Sequence, residues 1–171
     1  MKRVIVHPDR CYGCRTCEAA CVTAHRIPAD AEVSTEAIMA HYVDAMDRTR
    51  IWVEAEPITR APVPINCRHC IEPACVNVCS TGALQQTGDE GVVVNHTEKC
   101  AGCWMCIMVC PFGAITRMGG VALKCDLCIQ RGTPACVAAC PNEALELVEV
   151  EVLAGDRRER TTTHIIGGGP S

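Results

Sequence analysis

The chain is poor in the aromatic residues that usually supply much of a buried interior. Only Tyr12, Tyr42, Trp52, Trp104 and Phe112 are present, 3% of 171 residues. That length suits one domain or two very small ones, and halves so small need more than apolar side chains to hold them together. No run approaches ~18 consecutive apolar residues, so no transmembrane helix is expected. A formal net charge of −4 excludes a broad basic footprint, so no nucleic-acid partner is expected. There is no Walker A loop and no G-x-G-x-x-G turn. Gly167-Gly168-Gly169 opens no helix, so nucleotide phosphates have no cradle. No nucleophile–base pair stands out, and the chain is expected to be non-catalytic. The opening MKRVIVHPDRC carries neither the apolar core of a secretory signal nor a twin-arginine pattern, and the expected location is cytoplasmic.

Cysteine is what the chain has in quantity. Sixteen cysteines fall into four blocks of four: Cys11, Cys14, Cys17, Cys21; Cys67, Cys70, Cys75, Cys79; Cys100, Cys103, Cys106, Cys110; Cys125, Cys128, Cys136, Cys140. Disulfides would need an oxidising compartment, which the N-terminus does not suggest. Structural zinc sites pair two C-x2-C knuckles, or one knuckle with two histidines. Here three cysteines crowd into seven residues at Cys11–Cys17 and again at Cys100–Cys106. That triple followed by x3-C is the bacterial ferredoxin run, and Cys110-Pro111 supplies its trailing proline. The count fits four 4Fe–4S clusters with no cysteine left over, and the expected role is electron transfer. His69 lies between Cys67 and Cys70, but complete cysteine quartets leave little need for it as a ligand.

The blocks alternate between two types. Type A reads His7-Pro8-Asp9-Arg10-Cys11-x-Gly13-Cys14 and returns as His96-Thr97-Glu98-Lys99-Cys100-x-Gly102-Cys103. Type B reads Pro73-Ala74-Cys75-Val76-x-x-Cys79 and returns as Pro134-Ala135-Cys136-Val137-x-x-Cys140. The simplest account is a duplicated two-cluster ferredoxin. In such a unit each block gives three ligands to one cube and its fourth to the neighbouring cube. Gly13 and Gly102 stand where a positive φ, close backbone approach to sulfur, or an ordinary turn is expected. Backbone N–H groups aimed at sulfur would tune cluster potential.

Strands are expected at Val4-Ile5-Val6, Arg50–Glu54, Val92-Val93-Val94 and Leu145–Val150. The strands before the first block and after the last favour a nested arrangement, first block with fourth and second with third. The repeat pattern alone leaves consecutive pairing open. Between blocks one and two, Ser34 can cap a helix carrying Ile38, Met39, Tyr42, Val43 and Met46 at helical spacing, either as core contact or as a docking face. Pro57, Pro62 and Pro64 are expected to break up the segment between Glu54 and the second block. The charged, Gly-ending tail from Glu151 is expected either to lack a fixed fold in isolation or to be an arm that orders on a partner. Trp104 is expected to shield a cluster. Lys124, beside Cys125, is either a cation that raises a cluster's potential or an ordinary solvated side chain.

On these motifs the chain resembles the four-cluster iron–sulfur subunits of the dimethyl sulfoxide reductase and formate dehydrogenase electron-transfer family. Cys11-Tyr-Gly-Cys14-Arg-Thr-Cys17-Glu-Ala-Ala-Cys21 and Gly102-Cys103-Trp-Met-Cys106-Ile-Met-Val-Cys110-Pro111 carry the likeness best, over about residues 1–150. It is most similar to the soluble branch: the carbon monoxide dehydrogenase-associated iron–sulfur protein, hydrogenase-linked carriers and the small subunit of tungsten aldehyde oxidoreductase complexes. Prolines after Cys21 and Cys79 are missing (Val22, Ser80), which removes no ligand.

The resemblance implies the nested pairing. One cluster would use Cys11, Cys14, Cys17 and Cys140; a second Cys67, Cys70, Cys75 and Cys110; a third Cys100, Cys103, Cys106 and Cys79; a fourth Cys125, Cys128, Cys136 and Cys21. The implied fold is α+β, two nested two-cluster ferredoxin-like modules. The outer module would comprise residues 1–21 and 111–150 and the inner 67–110, with an insertion at 22–66 and a tail at 151–171. The implied partner is a larger metal-containing catalytic subunit, preferably a tungsten or molybdenum aldehyde oxidoreductase with a flavoprotein passing electrons to NAD. Carbon monoxide dehydrogenase, formate dehydrogenase or hydrogenase is the runner-up partner. Two roles without a dedicated catalytic subunit also stay open, a free polyferredoxin and a self-associating filament.

Overall fold

The computed structural model describes residues 1–26, 49–88 and 90–167. The helix expected over Ile38–Met46 lies outside the described residues. Short runs rich in β-branched residues form strands, as their shape favours. These are β1 (Lys2–Val6), β2 (Ile51–Ala55), β3 (Pro62–Asn66), β4 (Leu84–Thr87), β5 (Val92–Asn95), β6 (Ile115–Met118), β7 (Val121–Lys124) and β8 (Leu145–Glu149). The helices are α1 (Thr16–Ala24), α2 (Ala74–Asn77), α3 (Met105–Val109), α4 (Ala135–Ala138) and α5 (Val150–Gly167). The fold is a small α+β arrangement of short elements.

Among the described residues each strand pairs with one other, antiparallel: β1 with β8, β2 with β3, β4 with β5 and β6 with β7. The four ribbons are of two kinds. In β1–β8 and β4–β5, a strand entering a type A block pairs with a strand leaving a type B block. In β2–β3 and β6–β7, the chain turns between a type A block and the type B block that comes after it. One hydrogen bond repeats at equivalent places: His7 N–H donates to Ala144 O at 2.8 Å, and His96 N–H to Ala83 O at 2.8 Å. The first block is thereby tied to the fourth, and the third to the second. Helix α1 packs on α4, and α2 on α3.

The interior is shared between aliphatic side chains and thiols. Val4, Ile51, Val53, Val92, Leu127 and Leu145 cluster with Cys17 and Cys21. Leu84, Val93, Ile115 and Ala122 cluster with Cys106. Cysteine therefore occupies positions that aromatic residues would fill in an ordinary small domain.

Two expectations are corrected. Pro62 and Pro64 do not break the chain; they lie within β3, opposite Ala55 and Val53. In an antiparallel pair alternate residues turn their backbone groups away from the partner strand. The N–H of Val53 indeed points away, to the Glu18 carboxylate, so its opposite number Pro64 has no ladder bond to lose. An edge strand tolerates proline on that basis. The tail also has a fixed form: Val150–Gly167 is helical. Its start is anchored, with the Met1 ammonium 3.0 Å from Glu149 and 3.1 Å from Glu151 and Val150 N–H bonded to Met1 O. Leu, Ala, Glu and Arg favour continuation, although most of the helix is exposed.

Candidate metal centres

The cysteine loops depend on backbone that turns through the left-handed region. In the type A blocks Gly13 (φ +72°) is followed by Arg15 (φ +58°), and Gly102 (φ +67°) by Trp104 (φ +63°). Arg15 and Trp104 each stand at the N-cap of the helix that carries the third cysteine. In the type B blocks His69 (φ +45°) and Leu127 (φ +60°) take the equivalent place, two residues after the first cysteine. Such a conformation costs a non-glycine residue about 1–2 kcal/mol. Its repetition at matched positions marks a geometry that the thiols require. The glycines were legible in the sequence; Arg15, His69, Trp104 and Leu127 were not, because nothing in their side chains favours it.

These turns bring thiols from distant blocks together. One cavity is lined by Cys11, Cys14, Cys17 and Cys140, beside Pro64 and Leu145. A second is lined by Cys67, Cys70, Cys75 and Cys110, beside His69 and Phe112. A third is lined by Cys79, Cys100, Cys103 and Cys106, beside Trp104. Cys21, Cys125, Cys128 and Cys136 remain; the charges of Cys21, Cys128 and Cys17 act on Cys136, and those of Cys67 and Cys21 on Cys125. Cys14 and Cys103 are exposed, whereas every other cysteine is buried or half-buried.

Burial shifts several of these thiols. Burial pushes the thiols of Cys17 and Cys136 up to about 12 and that of Cys75 to about 11, with nearby acidic or thiol groups adding to the shift. Burial also raises Cys106 and, more strongly, Cys125. Thiols so placed stay neutral at ordinary pH unless a metal supplies the positive charge that ionises them. Backbone N–H groups approach several sulfurs: Leu127 N to Cys125 at 3.4 Å, His69 N to Cys67 at 3.5 Å, Leu84 N to Cys79 at 3.4 Å, and Ala144 N to Cys140 at 3.2 Å. The type B loops thus repeat their sulfur contacts as well as their turns. Sets of four soft thiolate donors suit iron–sulfur clusters.

Three side-chain arrangements were not apparent from sequence. Glu18, 2% exposed, accepts Val53 N–H at 2.6 Å and lies 3.7 Å from Arg15, docking α1 on β2. Asp126 receives Arg50 at 2.6 Å and His25 at 3.0 Å. His25 in turn bonds Cys21 O at 2.7 Å, so the network braces the exit of block one against block four. The ligand atoms of His25, Asp126 and Cys128 all lie within 4.8 Å of one another, but the Asp126 carboxylate is already engaged by Arg50 and His25. Finally, Lys124 is 3% exposed, which corrects the solvated reading. Its side chain turns inward to two backbone carbonyls, Val93 O and Cys125 O. Trp104 is half-buried at the third cavity, with the Arg117 guanidinium 5.7 Å from its ring. His69 is buried, and its Nδ1 accepts Val93 N–H at 3.1 Å. Burial, reinforced by Lys124 and Arg3, lowers its pKa to about 3, so the ring is neutral with its proton on Nε2.

Comparison with known proteins gives consistent matches. A family model described as a 4Fe-4S dicluster domain matches residues 58–150, which takes in blocks two to four. The iron-sulfur protein of Rhodospirillum rubrum is 33% identical over 180 residues, covering 95% of this chain and 90% of that protein. The electron transport protein HydN of Escherichia coli K12 is 35% identical, covering 92% of this chain and 95% of that protein. Hydrogenase-4 component A of the same strain is 30% identical, covering 92% and 87%.

Proposed function

The chain belongs to the 4Fe-4S dicluster domain family, and from that premise we propose that it is a relay subunit with four 4Fe–4S clusters and no catalysis of its own. The observation that carries this is the grouping of thiols: three cavities are each lined by one complete quartet drawn from two blocks. Cys11, Cys14, Cys17 and Cys140 would hold one cluster; Cys67, Cys70, Cys75 and Cys110 a second; Cys79, Cys100, Cys103 and Cys106 a third. Cys21, Cys125, Cys128 and Cys136 would hold the fourth. Nested modules are supported by the β1–β8 and β4–β5 ribbons and by the repeated bonds of His7 and His96. On this reading residues 1–21 and 111–150 form the outer module and 67–110 the inner one. Residues 22–66 are an insertion whose β2–β3 ribbon matches β6–β7, and 151–171 an appended helix and tail.

Bound clusters supply one-electron transfer. The chain's own residues would hold them through thiolates and direct N–H groups at sulfur, and in two quartets every cysteine is buried or half-buried. Each of the other two quartets presents an exposed cysteine, Cys14 or Cys103. Electrons would enter at one of these and leave at the other. No helix among the described residues is long and apolar enough to cross a membrane.

The partner in this proposal is a larger metal-containing catalytic subunit, with a flavoprotein or other redox subunit at the opposite end. The name of hydrogenase-4 component A supports a hydrogenase partner over the tungsten or molybdenum aldehyde oxidoreductase suggested by resemblance alone. Anaerobic co-purification followed by metal analysis tests this. Nickel with the partner fits the hydrogenase arm, and tungsten or molybdenum fits the formate or aldehyde arm. A stoichiometric partner containing none of these and no flavin would refute the assignment. A stable monomer would favour a freely diffusing carrier.

A further inference from the structure

Lys124 is the one lysine among the described residues that is fully buried. Its Nζ donates to Val93 O at 2.5 Å and to Cys125 O at 2.6 Å. No carboxylate among the described residues lies within ion-pair distance of it. Burying a charge without an opposite charge costs several kcal/mol, and two carbonyl dipoles offset only part of that. A buried cation held this way calls for an anion in the interior that protein side chains do not provide.

The surroundings of Lys124 identify that anion. Its own strand, β7, leads directly into Cys125 of the fourth block. Through Val93 it also reaches the second block: Val93 accepts from Lys124 at its carbonyl and donates from its N–H to His69, which sits between Cys67 and Cys70. One continuous hydrogen-bonded path therefore runs from the loop of block two, across β5, to the loop of block four. The loops joined by this path carry Cys67 and Cys70 on one side and Cys125 on the other. These belong to different quartets. A cubane held by four thiolates is a net anion, and becomes more negative on taking up an electron. A nearby cation stabilises the reduced state more than the oxidised state.

We propose that Lys124 is the shared counter-ion of two clusters, the one held by Cys67, Cys70, Cys75 and Cys110 and the one held by Cys21, Cys125, Cys128 and Cys136. This rests on the four-cluster reading above. Lys124 is a positioning residue rather than a ligand. It makes both clusters easier to reduce and keeps their potentials together at the boundary between the two pairs of blocks. A single buried charge does this for both because its hydrogen bonds reach the loops of both blocks, directly at Cys125 and through Val93 at His69.

The test is an anaerobic redox titration of the full chain followed by EPR, with iron measured on every sample. K124Q keeps N–H donors for the two carbonyls and removes the charge, while K124R keeps the charge. C70S and C128S identify which signals belong to the two centres. The expected result for K124Q is a shift toward the oxidised form of at least about tenfold in those two centres, ~59 mV for a one-electron couple. The other two should stay in place, and K124R should remain near wild type. Equal shifts in all four centres, a shift in only one of the pair, or no shift refutes the proposal. If K124Q fails to retain its iron, the pattern of loss decides. Loss confined to these two centres, with K124R fully loaded, supports the counter-ion role; loss in both variants or from other centres refutes it. Wild-type protein with far fewer than roughly sixteen iron atoms per chain would instead sink the four-cluster reading, whatever the variants do.

Discussion

At the scale of single residues, each position in a cysteine block answers to a different constraint. Cys21 lies in the first block, yet its charge acts on Cys125 and Cys136 of the fourth. Replacing Cys21 with serine should damage the centre served by Cys125, Cys128 and Cys136 and spare that of Cys11, Cys14 and Cys17. EPR resolves the two outcomes, and loss of the first block's centre would disprove ligand exchange between blocks. Gly102 is constrained by backbone rather than by ligation. Its φ is +67°, and a Cβ there would stand 2.5 Å from Gly120 O. Gly102→Ala therefore meets both an unfavourable φ, worth about 1–2 kcal/mol, and a backbone collision. The expected result is poor iron incorporation during reconstitution, with the deficit concentrated in the centre of Cys100, Cys103 and Cys106. Gly113 also has positive φ but meets nothing within 4 Å, so Gly113→Ala should be the milder change by iron content.

At the scale of elements, contacts between short pieces replace the extended sheets and long helices of larger domains. Helix α1 is held to β2 by one buried carboxylate, with Val53 N–H donating to Glu18 at 2.6 Å. Glu18→Ala would leave that N–H buried and unpaired, a loss of about 1–3 kcal/mol. It should lower the temperature at which the visible cluster absorbance bleaches. Glu18→Gln keeps an accepting oxygen and should lower it less. Equal damage from both would assign the contact to the charge near Arg15 instead of the hydrogen bond. Helix α5 contrasts with α1: most of its side chains are exposed, and its fixed end is the Met1–Glu149–Glu151 junction.

At the scale of the whole molecule, the strands form four separate two-stranded ribbons among the described residues. An isolated ribbon of this kind is at best marginally stable in water. The aliphatic clusters are small and interleaved with thiols. Binding of metal is then a large share of the folding free energy. Removing iron with a chelator under anaerobic conditions should collapse the dispersion of backbone amide signals in NMR, and reconstitution should restore it. An iron-free chain that keeps a dispersed, native-like spectrum would show that the protein matrix stands without its clusters.

The spacing of cysteines was enough to read the alternation of the blocks in two types and the glycines that turn the loops, and apolar runs gave four of the eight strands among the described residues. These are local properties, set by intervals of a few residues and by the backbone freedom of glycine. Prolines misled at Pro62 and Pro64, because their tolerance depends on which way β3 faces β2. The charged tail misled because its helix starts from an anchor at the other end of the chain. How Glu18 and Asp126 are spent and where Lys124 is buried required the tertiary structure, and which thiols share a cavity was left open by the repeat pattern and implied only by resemblance. Those features join residues far apart in sequence, and no local interval encodes the distance between them.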